Sequence, residues 1–291
     1  MAERPQLAVV VIGFRAPPGL VAAVRSVLDQ AVPVEVVVVN SGGGDAGALL
    51  SKAGLDVRVI ETGRRLFTGA ARNLGIAATE APFVAFLADD CLACPGWAEA
   101  RLRHHRNGAA AVASAILNSH PRNLVACAAH LIIHMRRLPG LAADQALRYG
   151  ASFDRTLFDR FGFFDERLRS GEDTEFIARL PDAMKPVWEP LVLTVHGNET
   201  RLLPMLADQY RGGRRYGSYL RRLAGGKPSR PFRKVFRDRR NVVRLAREGL
   251  PAKERAFAML SLPIVWLALL SKSLGASVGA ARGGTGDDDQ G

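Results

Sequence analysis

The chain has 291 residues, of which 48% are hydrophobic and 23% are charged, and its formal net charge is +12. This composition is typical of a globular protein, and it excludes an intrinsically disordered chain and a collagen-like chain. The three cysteines are too few for a disulfide framework and are typical of a reducing compartment. The apolar run Leu7–Ile12 is too short for the core of a signal peptide, so we expect the chain to start in the cytosol.

The N-terminal third of the chain alternates strand patterns with helix patterns. Short apolar runs predict strands at 7–12, 34–39, 57–60 and 82–87, and the intervening segments predict helices at 20–30, 48–53 and 70–78. This alternation predicts an α/β fold with a mixed, mostly parallel, Rossmann-like sheet flanked by helices. Ligands of such sheets bind beyond the carboxyl ends of the strands.

A glycine string follows the second predicted strand. Gly42–Gly47 matches the G-x-G-x-x-G pattern of dinucleotide-binding proteins, and Glu61 stands at the distance expected of the acidic residue. However, the helix predicted after the glycines is short, and the pattern belongs on the first strand of a domain. We therefore favour a turn without a ligand. An NAD-dependent oxidoreductase using Gly42–Gly47 stays a less favoured alternative.

Two groups of carboxylates stand at places where a ligand is expected. Asp89 and Asp90 directly follow the strand predicted at 82–87. Paired carboxylates facing a cleft can hold Mg²⁺ or Mn²⁺, although such a pair in a turn is more often solvated. Farther along, Glu172 and Asp173 open a predicted helix. Acidic residues in the first turn of a helix can simply stabilise the helix dipole, so this position alone does not establish a catalytic role.

Two other motifs carry weaker signals. Cys91 and Cys94 form a C-x-x-C pair, but neither a second cysteine pair nor a suitably spaced set of cysteines and histidines accompanies it, so we expect no zinc at this site. His104 and His105 lie in an arginine-rich predicted helix, and we expect both at its surface.

Taken together, these segments resemble the inverting family 2 glycosyltransferases of the GT-A fold, in particular membrane-associated bacterial members. The resemblance covers about residues 7–200, in the order and spacing of the family. The matching pieces are residues 10–15, 26–30, 36–41, 69–76, 86–91, 95–97, 162–166 and 171–175.

The resemblance implies a site for a nucleotide-diphosphate sugar and a divalent cation, Mg²⁺ or Mn²⁺. Asp90 matches the metal-binding end of the Asp-x-Asp motif, Asp89 a ribose or metal contact, and His196 a residue that completes the metal or diphosphate site in some relatives. Position 88, usually acidic in that motif, is alanine here. For His196, a structural role is an equal alternative.

The remaining donor-binding residues that the resemblance implies come from several segments. Asn40 replaces an aspartate that reads the nucleobase in many relatives, which leaves the base preference open. The others are Phe14, Arg15, Gly69 and Arg72.

The resemblance also implies the catalytic residues. Asp173 matches the general base, which takes the proton of the acceptor hydroxyl as its oxygen attacks the anomeric carbon in line. Glu172 matches a residue that orients the acceptor or the base.

The excess of positive charge lies in one late segment. Residues 201–260 carry 17 Lys/Arg against 4 Asp/Glu, and the uncharged run Ala256–Leu270 follows. This combination favours attachment to an anionic membrane surface. Nucleic acid is not an expected partner, since the basic part has few aromatics and no recognised binding motif. Fifteen residues are short for a span, and Pro263 is expected to kink a helix, so a peripheral, a monotopic and a single-span segment are all alternatives, as is an ordinary buried helix.

We therefore predict five regions: a nucleotide-sugar-binding half (1–115), an acceptor-binding, catalytic half (116–200), a basic helical segment (201–255), an apolar membrane-associated segment (256–281) and a disordered tail (282–291). The predicted activity is metal-assisted, inverting transfer of a sugar to a hydroxyl of a glycan or lipid-linked glycan, at the cytoplasmic face of the cell membrane. A catalytically inactive nucleotide-sugar-binding protein on the same fold is the main alternative.

Overall fold

A computed structural model describes residues 4–223 and 241–282. The part of the predicted basic segment between them, and the predicted tail beyond residue 282, lie outside the described residues. The described chain forms two compact units. Residues 4–117 and 141–196 form the first, and residues 118–140, 197–223 and 241–282 form the second.

The first unit is built on one eight-stranded sheet with the order β3-β2-β1-β4-β7-β6-β8-β5. Its strands are Leu7–Phe14 (β1), Val34–Ser41 (β2), Arg58–Thr62 (β3), Phe83–Ala88 (β4), Cys91–Ala93 (β5), Ala111–Asn118 (β6), Ser152–Asp154 (β7) and Val187–His196 (β8). Its helices are Gly19–Leu28 (α1), Ala46–Lys52 (α2), Thr68–Ala77 (α3), Trp97–Arg106 (α4), Thr156–Phe161 (α6) and Glu172–Arg179 (α7), with a 3₁₀ turn at Asp182–Met184.

The mixed sheet confirms the predicted fold class. β1 pairs in parallel with β2 and with β4, and β2 pairs in parallel with β3. The other half of the sheet is antiparallel, with β7 beside β4 and β6, and β5 beside β8. Strands β1, β2 and β4 are buried by helices on both faces, which explains their continuous apolar runs.

One surface prediction is wrong. His105 is only 4% exposed, because each of its ring nitrogens has a partner inside the unit. Its Nδ1 lies 2.8 Å from the Ala109 carbonyl oxygen, and its Nε2 lies 2.8 Å from Ser152 Oγ. Its ring also stacks on Phe83, with 4.3 Å between the ring centroids. Burial lowers the pKa of His105 to about 4.

The second unit is helical over its described residues. Its helices are Leu124–His134 (α5), Leu202–Leu223 (α8), Val242–Gly249 (α9), Ala252–Leu260 (α10) and Leu262–Arg282 (α11).

The apolar C-terminal segment is longer than the fifteen residues expected, and Pro263 does not kink its helix. Helix α10 ends before Ser261, and Pro263 lies in the first turn of α11. Proline is tolerated there, because backbone N–H groups in the first turn have no hydrogen-bond acceptor within the helix. Leu262–Ala281 is therefore one helix of 20 residues, long and apolar enough to cross a membrane by length and composition alone. About 44% of its most apolar window is buried within the structure.

Helices α8 and α11 pack with their backbones in contact. A Cβ added at Gly213 or Gly217 would collide with the main chain of α11, and a Cβ at Gly275 or Gly279 would collide with that of α8. Each helix thus carries a G-x-x-x-G pair at the contact, which is the spacing that lets two helices approach closely. At the end of α11, Arg221 donates hydrogen bonds to the Ala280 and Ala281 carbonyls.

Candidate donor and metal site

The carboxyl ends of β1 and β4 meet where the strand order of the sheet reverses. β2 and β3 lie on one side of β1, and β4 lies on the other, which is the arrangement that places the ligand crevice of an open α/β sheet beyond these two strands. At this point, the Phe14 N–H donates to Asp89 Oδ2 over 3.2 Å, and the Asp89 N–H donates to the Ile12 carbonyl over 3.1 Å. Gly19 is also required here, because a Cβ would stand 2.6 Å from the Asp89 carbonyl oxygen.

Two arginine side chains lie over the exposed ring of Phe14. The guanidinium carbons of Arg15 and Arg65 each lie 5.0 Å from the ring centroid, within cation–π distance. Gly42 makes room for this ring, since a Cβ there would overlap it. Arg65 is not among the residues predicted from the sequence. Its position just beyond β3, at the same edge of the sheet, could have identified it as a candidate.

Asn40 forms hydrogen bonds with both the loop after β1 and the loop after β2. It is 1% exposed, its Oδ1 accepts from the Ala16 N–H over 2.9 Å, and its Nδ2 donates to the Gly43 carbonyl over 3.0 Å. Both ends of the amide are therefore engaged with main chain. Arg15 and Ala16 in this loop have positive φ angles of 61° and 47°, so the hydrogen bond from Ala16 stabilises a backbone conformation that is unfavourable for side-chain-bearing residues.

The glycine string is not arranged like a dinucleotide cradle. The Gly42 N–H donates to the Arg64 carbonyl, and the Gly43 N–H donates to the Thr62 carbonyl. These two amides are thus directed into the protein rather than towards a phosphate. Asp45 caps α2, which has only seven residues.

Asp89 and Asp90 lie side by side at the end of β4, and the second carboxylate meets a histidine. Nε2 of His196 lies 3.5 Å from Asp90 Oδ2. Burial raises the pKa of the Asp89 carboxyl above its ordinary value, and the adjacent Asp90 carboxylate adds to this rise. A cation bound here would offset that repulsion, and two carboxylates with an imidazole suit Mn²⁺. The residues present therefore fit the predicted divalent metal.

A third group joins this pair. Cys91 follows Asp90, and its Sγ donates to Asp90 Oδ1 over 3.3 Å. The potential ligand atoms of Asp90, Cys91 and His196 all lie within 4.8 Å of one another. The sequence predicts no zinc at Cys91, because neither a second cysteine pair nor a suitably spaced set of cysteines and histidines accompanies it. The partner is instead a histidine 105 residues away in the sequence, which only the pairing of β5 with β8 brings close.

A second cluster joins α3 to the start of α7. Arg72 Nη1 lies 2.9 Å from Glu172 Oε1, and both side chains are largely buried. The Arg72 guanidinium also lies 5.0 Å from the Phe86 ring centroid and 5.3 Å from that of Phe164. Gly69 permits the close approach of the segment before α7, since a Cβ there would stand 2.9 Å from the Asp165 carbonyl oxygen. Arg72 and Gly69 thus have structural contacts in addition to their predicted roles towards the donor.

Asp173 is held by main-chain donors at the start of α7. Its Oδ2 accepts from the Gly150 N–H over 3.2 Å, and its Oδ1 accepts from the Thr174 N–H over 2.7 Å. The residue remains partly exposed. These contacts give the carboxylate a fixed position. The roles of all these residues towards donor, acceptor or metal remain predictions.

Comparison with known proteins decides the family. The profile described as glycosyl transferase family 2 matches residues 8–158, which is more than half of the chain. The chain belongs to glycosyltransferase family 2. The matched range contains the β1–β4 crevice with Phe14, Asn40 and the Asp89–Asp90 pair.

Among curated relatives, this family 2 glycosyltransferase is similar to the pre-mycofactocin glycosyltransferases of two Mycobacterium tuberculosis strains, H37Rv and CDC 1551. The identity to each is 30% over 166 residues, which covers 52% of this chain and 34% of the relative. The match thus spans about a third of the length of these curated relatives.

Two solved structures share the GT-A fold. The first is the mannosyltransferase PcManGT from Pyrobaculum calidifontis in complex with GDP-Man and Mn²⁺, at a TM-score of 0.59 and 17% identity, covering 96% of this chain and 88% of that one. The second is TarS 1–349 of S. aureus in complex with UDP-GlcNAc, at a TM-score of 0.51 and 14% identity, covering 94% and 90%.

Proposed function

We propose that this glycosyltransferase moves a sugar from a nucleotide-diphosphate sugar to a hydroxyl of a glycan or lipid-linked glycan, with inversion at the anomeric carbon. The observation that carries the proposal is the contact of Asp90 with His196 beside Asp89, at the point where the strand order reverses. The presence of GDP-Man with Mn²⁺ in one structural neighbour, and of UDP-GlcNAc in another, supports a donor of this chemical class.

Asp90 and His196 are the residues that would hold Mg²⁺ or Mn²⁺, with Asp89 beside them. The bound cation would neutralise the charge that develops on the departing diphosphate. Arg15 and Arg65, which flank the Phe14 ring, add positive charge at the same edge of the sheet. These side chains would bind and orient the diphosphate before reaction.

Asp173 is the proposed general base. The acceptor oxygen attacks the anomeric carbon from the face opposite the diphosphate, the carbon–oxygen bond to the diphosphate breaks, and the hydroxyl proton passes to the Asp173 carboxylate. The hydrogen bonds from Gly150 and Thr174 hold this carboxylate in position. Attack from the opposite face inverts the configuration.

Donor binding tests the proposal first. Thermal unfolding of wild type is measured with UDP-, GDP- and dTDP-sugars and with NAD, each with and without Mn²⁺. We expect a Mn²⁺-dependent rise in Tm with one nucleotide class. This rise is lost in Asp90→Ala and retained in Asp56→Ala, which removes an exposed carboxylate elsewhere. A rise with NAD alone would overturn the proposal.

Turnover tests the second step. Asp173→Asn preserves the size of the side chain but cannot accept a proton in the same way. We expect it to bind the donor and to lose transfer by roughly 10²-fold or more. NMR analysis of the product reports whether the anomeric configuration is inverted. Donor binding by wild type without transfer to any glycan or lipid-linked acceptor would point instead to a binding protein on the same fold.

We also propose that the second unit attaches the enzyme to the cytoplasmic face of an anionic membrane. Trp266, Leu267, Leu270 and Leu274 are each between 41% and 51% exposed and share one face of α11. The strong excess of Lys/Arg over Asp/Glu in residues 201–260 supplies the complementary charge for anionic lipid. This attachment would bring the enzyme to the membrane that carries a lipid-linked acceptor.

The packing of α11 favours a helix lying in the membrane surface over a span. α8 contacts α11 through Gly213 and Gly217, and α8 carries charged side chains along its length, including Arg211, Arg214 and Arg221. A spanning α11 would have to carry these charges into the bilayer or separate from α8, and both are unfavourable. An in-plane α11 keeps the contact and still buries its exposed apolar face.

Vesicle sedimentation tests this attachment. We expect wild type to sediment with phosphatidylserine-containing vesicles, and less with pure phosphatidylcholine vesicles. Leu270→Glu places a charge on the apolar face of α11 and should abolish sedimentation. Leu191→Glu alters a leucine that is 64% exposed in β8, and it should leave sedimentation unchanged. Equal behaviour of the two variants would contradict attachment through α11.

A further inference from the structure

The register of β5 with β8 brings a sulfur ligand to the candidate metal site. Cys91 and His196 are directly opposite each other in this antiparallel pair. Opposite residues of an antiparallel pair project their side chains from the same face of the sheet. Asp90 precedes Cys91 at the same point, and its two carboxylate oxygens contact both neighbours, at 3.3 Å to Cys91 Sγ and 3.5 Å to His196 Nε2.

We propose that Cys91 is a third protein ligand of this site, which makes it a mixed carboxylate, thiolate and imidazole site that also binds thiophilic divalent cations such as Zn²⁺ and Co²⁺. The inference rests on the proposed function in that it uses the same Asp90 and His196. It widens the range of metals beyond Mg²⁺ and Mn²⁺, since Mg²⁺ disfavours sulfur whereas Zn²⁺ binds it readily. Metal binding would release the thiol proton of Cys91 to solvent.

The spacing of the three side chains suits such a cation. Ligand atoms of a tetrahedral Zn²⁺ site lie roughly 3.3–3.8 Å apart, given metal–ligand bonds of about 2.0–2.3 Å. The Asp90 carboxylate lies 3.3 Å from Cys91 Sγ through Oδ1 and 3.5 Å from His196 Nε2 through Oδ2. One ligand atom from each of the three side chains lies within 4.8 Å of the other two. Three protein ligands would leave a fourth position open for water or a diphosphate oxygen.

The environment of Cys91 also suits a ligand rather than a surface thiol. Cys91 is 8% exposed, whereas Asp90 is open to the crevice, with 49% of its side chain exposed. A metal ion could therefore enter past the exposed Asp90 carboxylate and reach the buried Cys91 thiol behind it. Cys94, three residues along, is not part of this group and provides a matched control within the same segment.

Cobalt spectroscopy tests the inference. Metal-free wild type is titrated with Co²⁺, and the near-ultraviolet sulfur-to-cobalt charge-transfer band is recorded. We expect the band to saturate at about one equivalent and to disappear on addition of Zn²⁺. Cys91→Ser should lose the band and bind Zn²⁺ roughly tenfold or more weakly, and Cys94→Ser should behave as wild type.

A second measurement uses wild type alone and does not depend on the folding of a variant. Thiols are alkylated with N-ethylmaleimide in partly denaturing urea, with or without Zn²⁺, and peptides are mapped by mass spectrometry. We expect Zn²⁺ to protect Cys91 and not Cys94. Unprotected Cys91, or a cobalt spectrum without the sulfur band, would overturn the inference and leave the proposed donor site standing. No binding of Co²⁺ or Mn²⁺, even with the nucleoside diphosphate, would overturn the metal site of both proposals.

Discussion

Arg72 and Glu172 form a buried ion pair, with 2.9 Å between Nη1 and Oε1 and only 13% and 6% of the two side chains exposed. The pair connects α3 to the first residue of α7, and Asp173 is the second residue of that helix. Helix α7, which carries the proposed base, is thus held to α3 by the guanidinium of Arg72. We infer that Glu172 positions Asp173 rather than acting on the acceptor itself.

Removal of Glu172 should destabilise the first unit. Glu172→Ala leaves the buried Arg72 guanidinium without its carboxylate, so we expect the free energy of unfolding to fall by about 3–5 kcal/mol in urea titrations. Glu175→Ala is the matched control. It breaks a partly exposed i,i+4 pair with Arg179 on the same helix, and this should change the same quantity by less than about 1 kcal/mol. Similar losses in both variants would contradict the anchoring role.

The amide of Asn40 should not tolerate replacement by a carboxylate. In Asn40→Asp, a carboxylate oxygen would replace Nδ2 and face the Gly43 carbonyl at a site only 1% exposed. We expect a loss of about 2–3 kcal/mol in the free energy of unfolding at neutral pH. Asn107→Asp, at an exposed position, should stay within about 0.5 kcal/mol of wild type.

A different result at position 40 would be equally informative. If Asn40→Asp unfolds like wild type and changes which nucleotide raises Tm, then residue 40 reads the base. Its two main-chain contacts would in that case be incidental to folding.

The parallel half of the sheet could be predicted from the sequence because its signals are local. β1 and β2 are continuous apolar, β-branched runs, and the structure extends each prediction by only two residues. Asp89 and Asp90 could be identified for the same reason, since they directly follow the apolar strand β4.

The antiparallel half could not be predicted in this way. β5 and β7 have three residues each, too few for a periodic pattern, and their partners are distant in the sequence. The approach of His196 to Asp90 and Cys91 depends on the pairing of β5 with β8. The contact of Arg72 with Glu172 joins α3 to α7, two helices that are distant in the sequence. The continuity of α11 could not be predicted for a different reason. The sequence pattern puts Pro263 in the interior of a helix, where proline causes a kink, whereas α11 begins at Leu262.

The burial of His105 predicts a dependence of stability on pH. Its pKa is lowered to about 4 in the folded state, against 6.5 for the free side chain, because burial disfavours the charged ring. The unfolded chain therefore binds the proton more tightly, and stability falls as the pH drops from about 6.5 to about 4. The full effect is roughly 3 kcal/mol.

Urea unfolding at several pH values between about 4 and 7 measures this effect. In His105→Gln, which cannot titrate, the loss of stability at acid pH should be smaller by that amount. His120→Gln removes an exposed histidine and should follow the wild-type curve. A wild-type slope in His105→Gln would show that other groups cause the acid loss.

Neighbouring glycines of α8 should respond oppositely to the same substitution. A Cβ at Gly213 would collide with the Lys272 carbonyl on α11, whereas a Cβ at Gly212 would lie 3.8 Å from Arg215 Nη2, an ordinary contact. Gly212→Ala should raise the free energy of unfolding by about 0.5–1 kcal/mol, because alanine favours the helix. Gly213→Ala should lower it by about 1–3 kcal/mol, because the helices must move apart. Thermal unfolding of the two variants beside wild type decides the matter, since two stabilising substitutions would mean that α8 and α11 do not pack through their glycines.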